Sequence, residues 1–338
     1  MTNLQSVYQE LLSPSEALIA DINQIEGDIM ILGAGGKMGP SLSLLAKETC
    51  KKAGIDKNII AVARFSDQET KTLLDESGIE TITMDLLADD QLQELPEVKN
   101  VLYLAGTKFG TKDHEPYTWT MNSYLPGRVA NKFKKSNIVV FSTGNVYPFT
   151  SIHEAGAEES LKPNPVGEYG MSCLGRERIF QYFSLQNNTP VLIFRLNYAI
   201  DVTYGVLLEI GKQVCNHTPI DIGMGYVNVI WQQDANEIAL RSLLHCNAPP
   251  KLLNVTGPEI ISVQWIANEF GKRMNTDPTF INHEAENALL SNASECKRLF
   301  GHPRTDIHTM IDIISEWILQ GGRTINKPTH FNERTGNF

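Results

Sequence analysis

The run Asp28-Ile-Met-Ile-Leu-Gly33-Ala-Gly-Gly36-Lys-Met-Gly39 constrains this chain more than any other stretch. Four apolar residues, Ile29 to Leu32, predict a buried strand, which three glycines at a three-residue spacing then break. An apolar-periodic helix follows from Ser41. Strand, glycine turn and helix start in that order make an anion site. Glycine permits the tight turn and lets backbone approach a diphosphate, whose charge the helix N-terminus favours. The spacing is GxxGxxG rather than GxGxxG. A turn that merely joins strand to helix is the blander reading.

The 338 residues suit one large α/β domain or two packed lobes. With 42% hydrophobic and 20% charged residues, the chain can bury a sizeable core. Its net charge of −10 argues against nucleic acid as a partner, because phosphate binding needs clustered cations. Five scattered cysteines read as reduced thiols in a cytoplasmic protein, not as a disulfide framework. No signal peptide is read at the N-terminus, and no apolar run approaches the roughly 20 residues of a membrane span.

Ahead of the first strand, Ser13-Pro14-Ser15-Glu16 predicts a helix start with Ser13 as N-cap, Pro14 at the first position and Glu16 closing a capping box. Leu18, Ile22 and Ile25 then recur at helical spacing, to pack on the domain or on a second subunit. Further strands are expected at Asn58–Ala63, Ile79–Met84, Val101–Ala105, Ile138–Ser142 and Val191–Leu196. Helices lie between most of them, including Gln68–Glu76 and Asn122–Lys135. Apolar strands alternating with helices predict a doubly wound parallel (Rossmann) sheet, with ligands at the carboxyl ends of its strands. Beyond Asp201 helices are expected at Leu207–Cys215, Asp234–Leu244, Val263–Arg273 and Thr309–Leu319, with short strands at Asn228–Ile230 and Leu252–Val255.

Taken together, these motifs resemble the extended short-chain dehydrogenases/reductases, the NAD(P)-dependent epimerase/dehydratase group, over roughly Asp28 to Gln320. Gly33-x-x-Gly36-x-x-Gly39 matches the cofactor loop, with Lys37 and Met38 inside it. Asp85-Leu86 resembles the pair that meets adenine, and Leu104-Ala105-Gly106 the segment beneath the cofactor. Asn122 matches a helix asparagine of such proteins. Phe141-Ser-Thr143-Gly-Asn145-Val-Tyr147 resembles the fifth-strand signature, and Tyr169-Gly170 matches the start of the family's Tyr-x-x-x-Lys motif. The resemblance implies catalytic roles for Thr143 and Tyr169 and substrate contacts from Thr143 and Asn145. It further implies a smaller C-terminal α/β substrate lobe, a small-molecule substrate and a homodimer. The corresponding division is a helical extension at 1–27, a dinucleotide-binding domain at 28–200 with a returning segment near 226–256, a substrate lobe at 201–225 and 257–320, and a tail at 321–338.

The chemistry has a physical basis. Hydride transfer at a carbon bearing oxygen requires proton exchange at that oxygen, which a tyrosine performs if its pKa falls from about 10 towards neutrality. A neighbouring threonine hydroxyl orients the oxygen and stabilises its developing charge. The family lysine lowers the tyrosine pKa, and here Cys173 replaces it. A cation about 4–5 Å away is worth roughly 3–4 kcal/mol at an effective dielectric near 20. Arg176, seven residues after Tyr169 and on the same helical face, is the available substitute. Gly144-Asn145 stands where sugar 4,6-dehydratases carry their Asp-Glu pair, so water elimination lacks its carboxylates.

The second strand ends Ala63-Arg64-Phe65-Ser66, without an acidic residue for a ribose diol. Arg64 and Ser66, with Lys37 as a second cation, suit a 2′-phosphate and favour NADP; Asp67 keeps NAD open. No histidine cluster has metal-ligand spacing. Two functions are consistent with these residues. One is an NAD(P)-dependent oxidoreductase or epimerase of a small polyol, sugar or sugar acid. The other is a dinucleotide-binding sensor or partner protein that has lost redox turnover with its lysine.

Overall fold

The structure, a computed structural model, describes residues 3–108 and 113–336. Seven strands form one parallel sheet: β1 (Ile29–Leu32), β2 (Ile59–Ala63), β3 (Glu80–Thr83), β4 (Asn100–Tyr103), β5 (Asn137–Thr143), β6 (Val191–Leu196) and β7 (Lys251–Val255). Their spatial order is β7-β6-β5-β4-β1-β2-β3. This is the doubly wound arrangement, and its order reverses between β1 and β4. Buried on both faces, β1, β2 and most of β4, β5 and β6 are continuous apolar runs.

Helices α3 (Gly39–Ala53) and α4 (Gln68–Glu76) follow β1 and β2, and the short α5 (Asp89–Glu94) precedes β4. Between β4 and β5 the expected single helix is divided. It comprises α6 (Glu115–Trp119), a π-helical turn (Thr120–Tyr124) and α7 (Leu125–Lys132). Pro126 has no N–H to give to the Asn122 carbonyl, and the ladder widens so that Leu125 N donates to Thr120 O instead. α8 (Gly167–Asn187) lies against this helical stretch and leads into β6.

A smaller lobe is built from α9 (Val206–Cys215), α11 (Val263–Met274) and α13 (Ile307–Leu319) around Trp231, Phe270 and Ile311. Two-residue strand pairs, such as Tyr226–Val227 with Ile261–Ser262, stitch its loops together. Of the expected returning segment, β7 rejoins the main sheet beside β6. α10 (Gln232–Arg241) packs on α3, and α12 (Ser294–Phe300) on β7.

The N-terminal extension folds onto both lobes. α1 (Asn3–Leu11) brings Leu11 to the lobe core, and Tyr8 meets Trp231 edge-on at 6.3 Å. α2 (Glu16–Ile22) buries Leu18 and Ile22 completely in the domain core. Each such side chain contributes about 1.5–3 kcal/mol. The N-cap of α2 is Ser15, not Ser13: its hydroxyl accepts from Leu18 N at 3.1 Å and donates to Glu237 of α10. A distant carboxylate at the helix N-terminus outweighs the local pattern that favoured Ser13.

Candidate active site

The crevice opens where the strand order reverses, between the ends of β1 and β4. Gly33 leaves β1 with φ +92°, and a Cβ there would meet Ala105 N at 2.7 Å. Glycine is required on both counts. A Cβ on Gly39 would overlap the Ala34 carbonyl, so the third glycine lets α3 start directly over the turn. Gly36 is exposed at the tip between them. The bend therefore carries bare backbone at a helix N-terminus, a shape that a diphosphate fits.

Two hollows meet over Gly33, Gly36 and Leu104. The first, about 210 Å³, is bordered by Arg64, Ser66, Asp67, Asp85, Leu86 and the Ala105-Gly106 segment. The second, about 260 Å³, is bordered by Lys37, Met38, Lys108, Thr143, Asn145 and Tyr169. The fold thus gathers every expected cofactor, catalytic and substrate residue along one two-part groove.

Lys37 alone lies away from its expected place. It borders the second hollow, not the first one with Arg64. Its Nζ donates to Ala199 O at 2.9 Å and sits 4.2 Å from the Tyr204 ring centroid. Although Lys37 as a whole is exposed, desolvation of its ammonium pulls the pKa down to about 7. Asp67 caps α4, accepting from Glu69 N at 3.0 Å and Thr70 Oγ1 at 2.6 Å. That hydrogen bond from Thr70 holds the Asp67 carboxyl below its usual range.

Tyr169 stands at the start of α8, with its hydroxyl in hydrogen-bond reach of the Thr143 and Cys173 side chains. Thr143 ends β5, where its Oγ1 accepts from Asn145 N at 3.2 Å and donates to Asn145 Oδ1 at 3.0 Å. Gly170 lets this loop touch the helix, since a Cβ there would lie 2.7 Å from Asn145 O. Burial pushes the Tyr169 phenol above its ordinary pKa, and Cys173 adds to this; the Arg176 charge pulls the other way. Cys173 is 1% exposed, and burial raises its thiol as well.

Arg176 reaches back beneath the crevice. Its Nη1 donates to Phe141 O at 2.6 Å and its Nη2 to Asn122 Oδ1 at 2.7 Å. Asn122, fully buried in the π-helical turn, also accepts from Thr107 N at 2.9 Å and donates to Thr107 O and Ser172 Oγ. One amide thereby fixes the loop after β4 to α8. Glu177, a residue the sequence did not single out, forms a fork with Arg195 at 2.6 and 2.9 Å and accepts from Ser142 Oγ at 2.6 Å. Arg195 continues to Tyr147 Oη and, through it, to Asn254.

The family model described as the NAD dependent epimerase/dehydratase family matches residues 29–199, just over half of the chain. The chain belongs to that family. Comparison with curated proteins gives no significant match. Among solved structures it is similar to an epimerase from the methanogen Methanothermobacter thermautotrophicus, at 16% identity and TM-score 0.72, covering 90% of this chain and 96% of that one. It is also similar to Pal from Bacillus thuringiensis, at 17% identity and TM-score 0.71, with 87% and 99% covered. A UDP-glucuronic acid 4-epimerase from Bacillus cereus, in complex with UDP-glucuronic acid and NAD, gives 18% identity and TM-score 0.69 over 87% and 99%. At such identities the likeness concerns the epimerase/dehydratase fold.

Within that fold, sequence reasoning missed four groups that border the second hollow: Lys108, Tyr198, Tyr204 and Thr329. Lys108 follows the Leu104-Ala-Gly106 segment by two residues, a nearness that could have flagged it. Its Nζ lies 6.0 Å from the Tyr169 ring centroid, and desolvation pulls its pKa down to about 8. Thr329 arrives from the distant tail, for which no local signal exists. Among the described residues, no three His, Cys, Asp or Glu side chains converge as metal ligands, and no helix is long and apolar enough to cross a membrane.

Proposed function

We propose that this family member is an oxidoreductase or epimerase that binds NADP and transfers hydride at an oxygen-bearing carbon of a small polyol, sugar or sugar acid. The observation that carries this reading is the Tyr169–Thr143 hydroxyl pair, set in the same groove as the glycine bend. Bound there, the nicotinamide supplies or accepts the hydride. Tyr169 Oη exchanges the proton of the substrate oxygen, and Thr143 Oγ1, on turning its one proton away from Asn145 Oδ1, donates a hydrogen bond to that oxygen. Arg176 is the buried cation that acts on the phenolate in place of the family lysine, but burial outweighs it and holds the Tyr169 pKa above its ordinary value, so Tyr169 rests as the proton-bearing phenol. Asn145, joined to Thr143, is positioned to hold a second substrate hydroxyl. Bound NAD in the Bacillus cereus epimerase supports a nicotinamide dinucleotide here. Exposed Arg64 and Ser66 favour NADP, because Asp67 spends its carboxylate on capping α4.

A second copy of the chain is the proposed partner. Met171, Tyr182 and Leu185 recur along one outer face of α8 and are 45%, 60% and 63% exposed, next to exposed Tyr124 of the π-helical turn. The test of the enzymatic reading is nicotinamide fluorescence during incubation with polyols, sugars and sugar acids. Turnover by the parent that Tyr169→Phe abolishes, with cofactor affinity unchanged, supports it. Tight cofactor binding without turnover by either protein rejects it.

A further inference from the structure

The tail runs back from α13 as a strap that reaches the rim of the second hollow at Thr329. Ile325 N donates to Thr203 O at 3.0 Å, and Thr329 donates its backbone N and Oγ1 to Glu209 Oε2 at 2.7 and 2.6 Å. Phe331 is 2% exposed within the lobe core. The Arg334 guanidinium lies 4.5 Å from the Phe149 ring centroid and donates to Asn287 O at 3.1 Å. At the far end, Gly336 touches Gly167 so closely that a Cβ on either would overlap the other's backbone. Gly167 begins the helix that carries Tyr169. The strap therefore ties the lobe to the catalytic helix and puts Thr329 on the wall of the cleft.

Size and charge of the enclosed space are both informative. The hollow of about 260 Å³ must take the nicotinamide end as well as the substrate, whereas pockets that bury a drug-sized ligand alone run about 300–1,000 Å³. Among the described residues that border it, the charged side chains are Lys37 and Lys108, which approach from the glycine bend and from the loop after β4; no carboxylate borders it. The ammonium groups repel one another, and Lys108 contributes to the lowered pKa of Lys37. An anion between them relieves both the repulsion and the desolvation.

We propose that the strap closes this cleft into a site for a small anion of hexuronate size that carries no nucleotide. The inference deepens the reading above and rests on it. It separates this chain from the similar fold of an epimerase that was solved with UDP-glucuronic acid.

The experiment uses the full-length protein loaded with NADPH, whose fluorescence is followed while glucuronate, glucose or UDP-glucuronic acid is added. The expected result is saturable binding of glucuronate, about tenfold or more tighter than that of glucose or UDP-glucuronic acid. Phe331→Ala and Glu209→Gln loosen the strap at different anchors and are expected to admit UDP-glucuronic acid; Lys108→Met is expected to erase the preference for glucuronate over glucose. Equal affinity of the parent for UDP-glucuronic acid, equal affinity for glucose, or binding of none of the three overturns the inference. Failure of NADPH itself to bind, read before any sugar is added, instead overturns the proposed function.

Discussion

The Arg176 guanidinium occupies the space into which a side chain on Gly106 would project. Glycine at the end of the β4 loop and arginine on α8 are therefore a matched pair. Two turns of helix beyond Tyr169, Arg176 is long enough to bring its charge back under the crevice, where the family lysine would act from one turn nearer.

Gly106→Ala is expected to displace the guanidinium from Phe141 O and Asn122 Oδ1. Hydrogen bonds made by charged groups are worth about 1.5–3 kcal/mol each, so a loss of roughly 2–4 kcal/mol is expected after relaxation. The urea midpoint should fall with an unchanged slope, and cofactor affinity should fall with it.

Cys173→Lys places a cation one turn from Tyr169. Attraction of the phenolate lowers the tyrosine pKa, so the base form persists to lower pH. The rising limb of turnover against pH should move down by about one to two units, a fraction of the 3–4 kcal/mol available at about 4–5 Å. An unmoved limb would show that Tyr169 ionisation does not control turnover.

Glu177→Gln leaves Arg195 charged in a site where its side chain is 1% exposed. Removing one partner of a buried pair costs about 3–5 kcal/mol, and this should appear in chemical unfolding. The pair lies behind Ser142, not in the groove, so cofactor affinity at low temperature should change far less than stability.

The sheet was largely legible from the chain because strands buried on both faces must be continuous apolar runs. Ile29–Leu32 and Val191–Leu196 have the same bounds in sequence and structure. The glycine bend was legible because its demands are mostly local: Gly33 adopts a positive φ, and Gly39 answers to Ala34 within the same bend. Long-range effects were not legible. Ser15 replaces Ser13 as cap because Glu237, 222 residues on, captures it. Lys37 could face either half of the groove, and the Ala199 carbonyl, 162 residues on, decides. The strap depends on Thr329 meeting Glu209, 120 residues earlier, a pairing that no periodicity encodes.

Glucuronate affinity should depend on pH in a stated direction. The Lys37 and Lys108 pKa values are pulled down to about 7 and about 8 by desolvation, so both ammonium groups are charged below pH 7. Affinity should be highest there and fall as pH rises through 7 to 8, with Lys108→Met removing the upper part of the fall. The carboxylates of Asp201 and Glu209 act on these lysines and oppose the fall, while Tyr169 and Cys173, both pushed up by burial, stay neutral over this range. Calorimetric titration at several pH values checks it.

Titration with NADPH and NADH, followed by nicotinamide fluorescence, tests the central claim most directly. The account predicts saturable binding of both, tighter for NADPH, with the difference lost in Arg64→Ala. Absence of saturation with either dinucleotide would contradict it.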